Sequence, residues 1–321
     1  MKWLIRVTVP ILVIAVGTWW LLLDGTAPKT ADNGFEIAEY RQLVAAGADD
    51  LPKEIRIEQV GSDLAPGFAA EVGNFSADYA TTYTSFQIVW PDQTIVIGGA
   101  IDAETSKEME QSEDDRKFDG EAYGRVTAAM ISTEKVLITH EHLDHVMAVA
   151  RHPEPAQLAP RLHLNAAQLA GLSQFAKGGI LPSEIAGVAT EDFEKATLIA
   201  PGLVLIPTPG HTAGSRSFFV TLENGAEYLL IGDIVWKMSN IENLKTRPRL
   251  LQYILFDPQE NRSRVLEQVR ALHDLKKSNP NLIILPSHDK IYLDSLVKAG
   301  TLQSKFNIEP PLTSPQQEPS P

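Results

Sequence analysis

The stretch Thr139-His140-Glu141-His142-Leu143-Asp144-His145 places four metal-binding side chains within six residues, directly behind the run Lys135-Val136-Leu137-Ile138. Imidazole nitrogen and carboxylate oxygen together suit zinc and other first-row divalent ions. The chain has 8 histidines and three of them fall here, which sets the stretch apart from a scatter of surface imidazoles. His140 and His142 are two apart. That spacing suits a loop leaving a strand, where alternate side chains point the same way; a helical pair would be spaced by about four. A strand that feeds a ligand-rich loop is a common way to hold metal side chains on a rigid base.

The same arrangement recurs three times. Leu203-Val204-Leu205-Ile206 leads to Thr208-Pro209-Gly210-His211-Thr212, Tyr228-Leu229-Leu230-Ile231 to Gly232-Asp233, and Leu282-Ile283-Ile284-Leu285 to Pro286-Ser287-His288-Asp289. At these residues, from about Phe86 to Ile291, the chain resembles the metallo-β-lactamase superfamily: an HxHxDH motif, then His, Asp and His in that order.

The resemblance implies an α/β fold, an αββα sandwich of two similar halves. It implies a ligand set in which His140, His142 and His211 hold one ion, Asp144, His145 and His288 hold a second, and Asp233 bridges them together with a hydroxide. The ions implied are two zincs, with iron or manganese as alternatives. Such a pair, about 3.5–4 Å apart, lowers the pKa of bound water towards about 7, and the metal-bound hydroxide attacks a carbonyl or phosphoryl centre. Asp144 is then expected to orient that nucleophile or shuttle its proton, so Asp144 and Asp233 are the candidate catalytic residues.

Imidazole ligands need a partner on the second ring nitrogen. Thr139, Thr208, Thr212 and Asp289 are candidates, with cap or turn roles equally open. His152, His163 and His273 read as ordinary residues. Tyr228, Trp236 and Met238 lie near Asp233 in sequence, and core packing is the expected role for each.

Composition bounds the function. The chain has 321 residues, 44% of them hydrophobic, enough for one large domain or two small ones. A net charge of −13 with no basic cluster argues against a nucleic-acid partner, because nothing is arranged to neutralise phosphates. There is no cysteine, hence no disulfide and no thiolate ligand. The expected partner is a small-molecule substrate, with a membrane contacted through the N-terminus.

That N-terminus differs from the rest. Lys2 and Arg6 precede an uncharged run of 17 residues, Val7 to Leu23, which with Trp3, Leu4 and Ile5 approaches the roughly 17–25 residues of a spanning helix. Trp19 and Trp20 suit a membrane interface, and the basic residues put the N-terminus in the cytoplasm. Residues 1–24 therefore predict one N-terminal transmembrane helix in the inner membrane, with the catalytic domain on the periplasmic side. A cleaved signal peptide, giving a secreted protein, is the rival reading; its small-x-small cleavage pattern is poor around Thr26-Ala27-Pro28 and Ala31.

Residues 25–75 read as a linker and lead-in, 76–305 as the catalytic domain, and 306–321 as a Pro-rich disordered tail. Spacing predicts helices over 35–46, 121–131, 147–151, 165–175 (Asn165 as N-cap) and 261–275. It predicts strands over 54–58, 161–164, 215–222 and 227–231, and a hairpin from Ser85–Trp90 and Thr94–Ile97. Asp102 follows Gly98-Gly99, where relatives carry an Asp-x-Gly turn, and reads either as a support for the site or as a loop residue. Residues 103–123 are crowded with charge and read as a solvated helix or flap.

The ligand set narrows the reaction. Within the family, β-lactamases that use a cysteine ligand are excluded, and the remaining subclass lacks the bridging aspartate. Flavodiiron proteins replace the second histidine by glutamate. The basic exosites of the nuclease branches and the C-terminal helical domain of glyoxalase II are absent from this sequence. Lactonases and other ester or thioester hydrolases remain. Acyl-homoserine lactonases carry a tyrosine three residues after the bridging aspartate, where this chain has Trp236. The resulting expectation is a membrane-anchored, dinuclear zinc-dependent hydrolase of a lactone, ester or related acyl bond. The alternatives are a β-lactam or thioester hydrolase of the same fold, or a non-catalytic metal-binding module.

Overall fold

Strands built from Ile, Val, Leu and Phe with no polar face must be covered on both sides, and this chain meets that demand with two sheets. The structure, a computed structural model, describes residues 2–32, 34–47, 50–75, 78–108, 117–254 and 260–308, with the side chains of 2–5 left out. In the first sheet β1 (Glu54–Ala65) runs antiparallel to β2 (Tyr79–Val89), from Glu54 opposite Val89 to Ala65 opposite Tyr79, with a register shift between Gln59 and Gly61. Strand β3 (Thr94–Ile97) is antiparallel to β2, β4 (Lys117–Phe118) pairs with β1, and β5 (Lys135–Leu137) lies parallel to β3. The second sheet holds β6 (Thr197–Ala200), β7 (Leu203–Pro207), β8 (Arg216–Thr221) and β9 (Glu227–Gly232) as an antiparallel meander, with β10 (Ile283–Pro286) added parallel to β9. A short β11 (Gln303–Ser304) returns to the first sheet beside Arg56 and Ile57.

Alternate residues face different layers, as the two-residue period of a strand requires. Ile95, Ile97 and Leu137 of the first sheet meet Leu203, Leu205, Phe218, Val220, Leu230 and Leu285 of the second in one buried cluster. Their neighbours Val96 and Val136 point outward into a second cluster with Val126, Met130, Val146 and Val149. On the far side Val204, Ile206, Phe219, Leu229, Ile231 and Ile284 pack with Tyr40, Val44, Val269 and Leu272. Helices over Gly120–Ser132 and Leu143–Ala150 thus cover one sheet, and helices over Ile37–Ala46 and Arg262–Ser278 cover the other. This is the expected αββα sandwich.

Side-chain caps fix where helices begin. Asn261 accepts from the N–H of Arg264, and Lys276 and Lys277 sit in the last turn of that helix, both favourable to its dipole. Asn165 and Gln168 form a capping box. Gln168 is fully buried and also donates to the carbonyls of Ile138 and Gly214, so one cap ties the strand before His140 to the loop after His211. Residues 161–164 are not a full strand: Ala159–Arg161 form a 3-10 turn, and Leu162 makes a single bridge to Val136. In the charged segment, 103–108 is helical, capped by Asp102, and 109–116 lie outside the described residues. Residues 309–321 of the expected tail also lie outside them. Ahead of these, the Phe306 and Asn307 N–H groups donate to Glu58 and Gln87.

The expectation of a transmembrane anchor is corrected. The first helix spans Lys2–Leu22 and contains Pro10, but no helix among the described residues is long and apolar enough to cross a membrane. The end of the helix is held by the protein instead. Arg249 lies 4.5 Å over the Trp20 ring and pairs with Asp24 at 2.7 Å, and Tyr253 lies 6.4 Å from Trp20. The single-pass inner-membrane location falls with the anchor.

Candidate metal centre

The HxHxDH segment turns from strand to helix within a few residues. His140 follows β5, His142 occupies the N-cap position of the helix Leu143–Ala150, and Asp144 and His145 lie in its first turn. The turn is locked from beneath by Gly99. Its N–H donates to His145 O, its C=O accepts from Ala148 N, both at 2.7 Å, and a Cβ there would stand 2.6 Å from His145 O. No other residue fits that approach. From the second half, β7 leads to His211, β9 to Asp233 and β10 to His288. These three strands run the same way, so their carboxyl ends share one edge.

The seven predicted side chains arrive in two groups, His140, His142 and His211 in one, and Asp144, His145, Asp233 and His288 in the other. Within each group one potential ligand atom per residue lies within 4.8 Å of the rest. Asp233 stands between them. Its Oδ2 is 3.0 Å from His288 Nε2, 3.8 Å from His211 Nε2 and 4.0 Å from His140 Nε2, while its Oδ1 is 3.3 Å from His145 Nε2. His142 and Asp144 are half-buried and the other five are buried.

Burial, reinforced by neighbouring imidazoles, holds His140 and His142 well below the ordinary histidine range, so both stay neutral at neutral pH. Burial alone would raise Asp233, but His288 and His145 outweigh it and hold the carboxyl well below its usual value. Burial opposes a charge on His288, yet Asp233 and Asp144 push it up to about 9. The ring of His288 is fixed by Thr82: a carbonyl only accepts, so Nδ1 donates to Thr82 O at 2.7 Å and Nε2 is left towards Asp233.

A divalent ion fits this set. Imidazoles, with His140 and His142 held neutral, and the ionised Asp233 converge with Asp144 without a thiolate, and His140 Nε2 is buried with no hydrogen-bond partner among the described residues, a costly arrangement unless a cation occupies the gap.

Of the four proposed supporting residues one stands against the imidazoles. The Thr139 hydroxyl lies 3.1 Å from His140 Nδ1 and 3.3 Å from His145 Nδ1. Thr208 bonds Ser217, Thr212 bonds Glu141, and Asp289 caps the helix Lys290–Lys298. Asp102 pairs with Arg151 at 3.2 Å. His152, His163 and His273 stay outside the cluster, against Thr127 O, Glu191 and Ile241 O. Tyr228 and Met238 are core residues. Trp236 is not: its Nε1 donates to Asp233 Oδ2 at 2.8 Å.

Sequence reasoning missed Glu260 and Arg247. Glu260 Oε2 is 2.8 Å from His211 Nδ1 and 2.9 Å from Arg247 Nη2. Burial would raise the Glu260 carboxyl, but Arg247 and His211 hold it down at about 2. Neither residue lies in the motif, and no local signal marks them.

The sandwich and the gathered ligand-type side chains define a dinuclear metal-binding fold. Residues 88–288 match the metallo-beta-lactamase superfamily, and the chain belongs to that family. An N-acyl homoserine lactonase from a Bacillus species is 29% identical over 108 residues, 34% of this chain and 41% of the relative. A probable metallo-hydrolase of Mycobacterium tuberculosis is 26% identical over 180 residues, 48% of this chain and 54% of that protein. The chain thus spans about half the length of the curated relatives it matches. Among solved structures, an N-acyl homoserine lactone hydrolase with N-hexanoyl-L-homoserine at its catalytic metal centre superposes with a TM-score of 0.53. It is 14% identical, over 76% of this chain and 96% of that one. A quorum-quenching N-acyl homoserine lactone lactonase gives a TM-score of 0.54 at 16% identity, over 77% and 97%. These likenesses establish the shared fold.

Proposed function

We propose that this chain is a dinuclear metal-dependent hydrolase that opens a lactone, an ester or a related acyl bond. His140, His142 and His211 hold one ion, Asp144, His145 and His288 hold the other, and Asp233 lies between them. The observation that carries this reading is the convergence of seven ligand-type side chains from four chain segments into two adjoining groups. Zinc is the ion assigned, because the donors are imidazole and carboxylate; elemental analysis distinguishes it from iron and manganese. When bound, such ions lower the pKa of water towards neutrality and polarise the acyl oxygen under attack.

The chain's own residues do the rest. Burial keeps His140 and His142 neutral, with lone pairs available. Thr139 and the Thr82 carbonyl set ring orientation. Asp144, the more accessible carboxylate of the set, orients the attacking water and takes its proton. Trp236 is an indole with no hydroxyl to offer a substrate oxygen, and its N–H is directed to Asp233. We take 76–305 as the catalytic domain, with the lead-in 25–75 contributing β1 to its first sheet. Similarity to lactonases supports acyl over phosphoryl transfer.

The test is a set of initial rates, each with and without chelator, on an acyl-homoserine lactone, aryl esters, a thioester, a phosphodiester and a β-lactam. Chelator-sensitive turnover of the lactone or esters is the expected result. Turnover confined to the phosphodiester or the β-lactam overturns the acyl assignment. Full metal occupancy with no turnover of any of them favours a metal-binding module.

A further inference from the structure

Arg247 and Glu260 are 3% and 7% exposed, and they meet beside His211, outside every ligand motif. Arg247 Nη1 donates to the main-chain oxygen of Asp233 at 3.0 Å, and its guanidinium lies 5.2 Å over the ring of Trp236, the residue whose N–H reaches Asp233 Oδ2. Its Nη2 lies 2.9 Å from Glu260 Oε2, which is 2.8 Å from His211 Nδ1. One buried guanidinium therefore touches the loops that carry His211 and Asp233. The segment bearing it is itself held from two sides: Thr246 N–H donates to Gly25 O, and Val72 N–H donates to Thr246 O, both at 2.9 Å.

Arg247 Nη2 also lies 3.0 Å from His211 Nδ1, so two proton arrangements compete. If Nδ1 were bare it would accept from Arg247, and the ring proton would sit on Nε2, directed at the other imidazoles. If Nδ1 carries the proton, both nitrogens donate to Glu260. An ionised carboxylate only accepts, a guanidinium only donates, and charge-assisted bonds are the shorter and stronger ones. The two bonds to Glu260 are the shorter contacts. We propose that Glu260 and Arg247 are positioning residues that hold His211 as its Nδ1–H tautomer, with Nε2 bare and facing Asp233, and fix the His211 and Asp233 loops against each other. The proposal rests on His211 being a metal ligand for its consequence, and on the hydrogen bonding alone for its tautomer.

The test uses the full chain, labelled with 15N-histidine and stripped of metal. Long-range 1H–15N correlation, with the His211 signals identified by their loss in His211→Asn, reads the tautomer directly. The expected result is a protonated Nδ1 and a bare Nε2. In Glu260→Ala the tautomers mix, and zinc affinity, measured by competition with a chelator, falls about 10–100-fold. Glu260→Gln keeps an acceptor and restores most of both. Arg247→Met keeps the tautomer but loses zinc affinity, because the two loops are no longer joined. Melting curves exclude unfolded variants, and Glu260→Gln carries the test if Glu260→Ala does not fold. A protonated Nε2 in the native chain overturns the proposal, as does an unchanged tautomer with unchanged zinc affinity in Glu260→Ala. A native chain that binds no zinc would sink the metal reading while the tautomer result still stands.

Discussion

The Nδ1 contacts of His140 and His145 come from Thr139, one and six residues away, whereas those of His211 and His288 come from Glu260, 49 residues on, and from the Thr82 carbonyl, 206 residues back. The contiguous segment carries its own support, in a strand-to-helix turn that needs only Gly99 beneath it. The dispersed ligands depend on elements that reach them only once both sheets have closed. The first kind of site is set by local sequence; the second is set by tertiary packing.

The largest effect should ignore that difference. His142→Ala from the contiguous segment and Asp233→Ala from the dispersed set should each lower chelator-sensitive hydrolysis by more than about 10³-fold with an unchanged far-UV spectrum. His152→Ala, outside the cluster, should leave the rate near wild type. A tenfold difference between the first two variants would mean that the halves do not act as one site.

Gly99→Ala attacks the contiguous half at its base. A methyl 2.6 Å from a carbonyl oxygen must displace the turn, and we expect a loss of about 2–4 kcal/mol in a denaturant melt. A loss below about 1 kcal/mol would show the turn to be less rigid than its geometry.

The dispersed half should reveal itself through acid. Glu260 is held at about 2 against an ordinary value of 4.5. The unfolded chain therefore binds the proton first, and the contribution is fully present above pH 4.5 and lost as pH falls from there towards about 2. It is on the order of 3 kcal/mol at most. Thermal melts should show a steeper decline over that interval in the native chain than in Glu260→Gln. Parallel curves would remove Glu260 as the acid-sensitive support.

Thr139→Val, of matched shape, should have the smallest effect. It removes one neutral acceptor at 3.1 and 3.3 Å, and we expect about a 10-fold loss of zinc affinity, less than for the charged Glu260. An equal or larger loss would reverse the ranking of the two halves.

The same contrast explains what could be read in advance. The seven ligand-type residues were legible because each follows an apolar strand, and the αββα layering was implied by the family resemblance. Caps such as Asn165 and Asn261 were legible or nearly so, since they act within four residues. Glu260 and Arg247 were not, because a lone acidic residue and a lone arginine resemble any surface charge until the fold buries them. Thr208, Thr212 and Asp289 lie beside the ligands in sequence, yet each bonds a partner other than a ligand imidazole: Ser217, Glu141 and the Tyr292 N–H. At the N-terminus an uncharged run was read as a membrane anchor. Hydropathy registers the run, but neither Pro10 nor the seat that Arg249 and Tyr253 give to Trp20.

The bond from His288 to Thr82 has a consequence for how the molecule forms. It joins positions 206 apart, and closing so long a loop is slow and gains nothing until both ends are in place. In refolding, secondary structure and the helix-covered faces should therefore recover before tight zinc uptake does. On the proposed metal reading, the ion would meet a pocket already assembled by the sandwich, the reverse of small zinc domains in which metal capture drives the chain to fold.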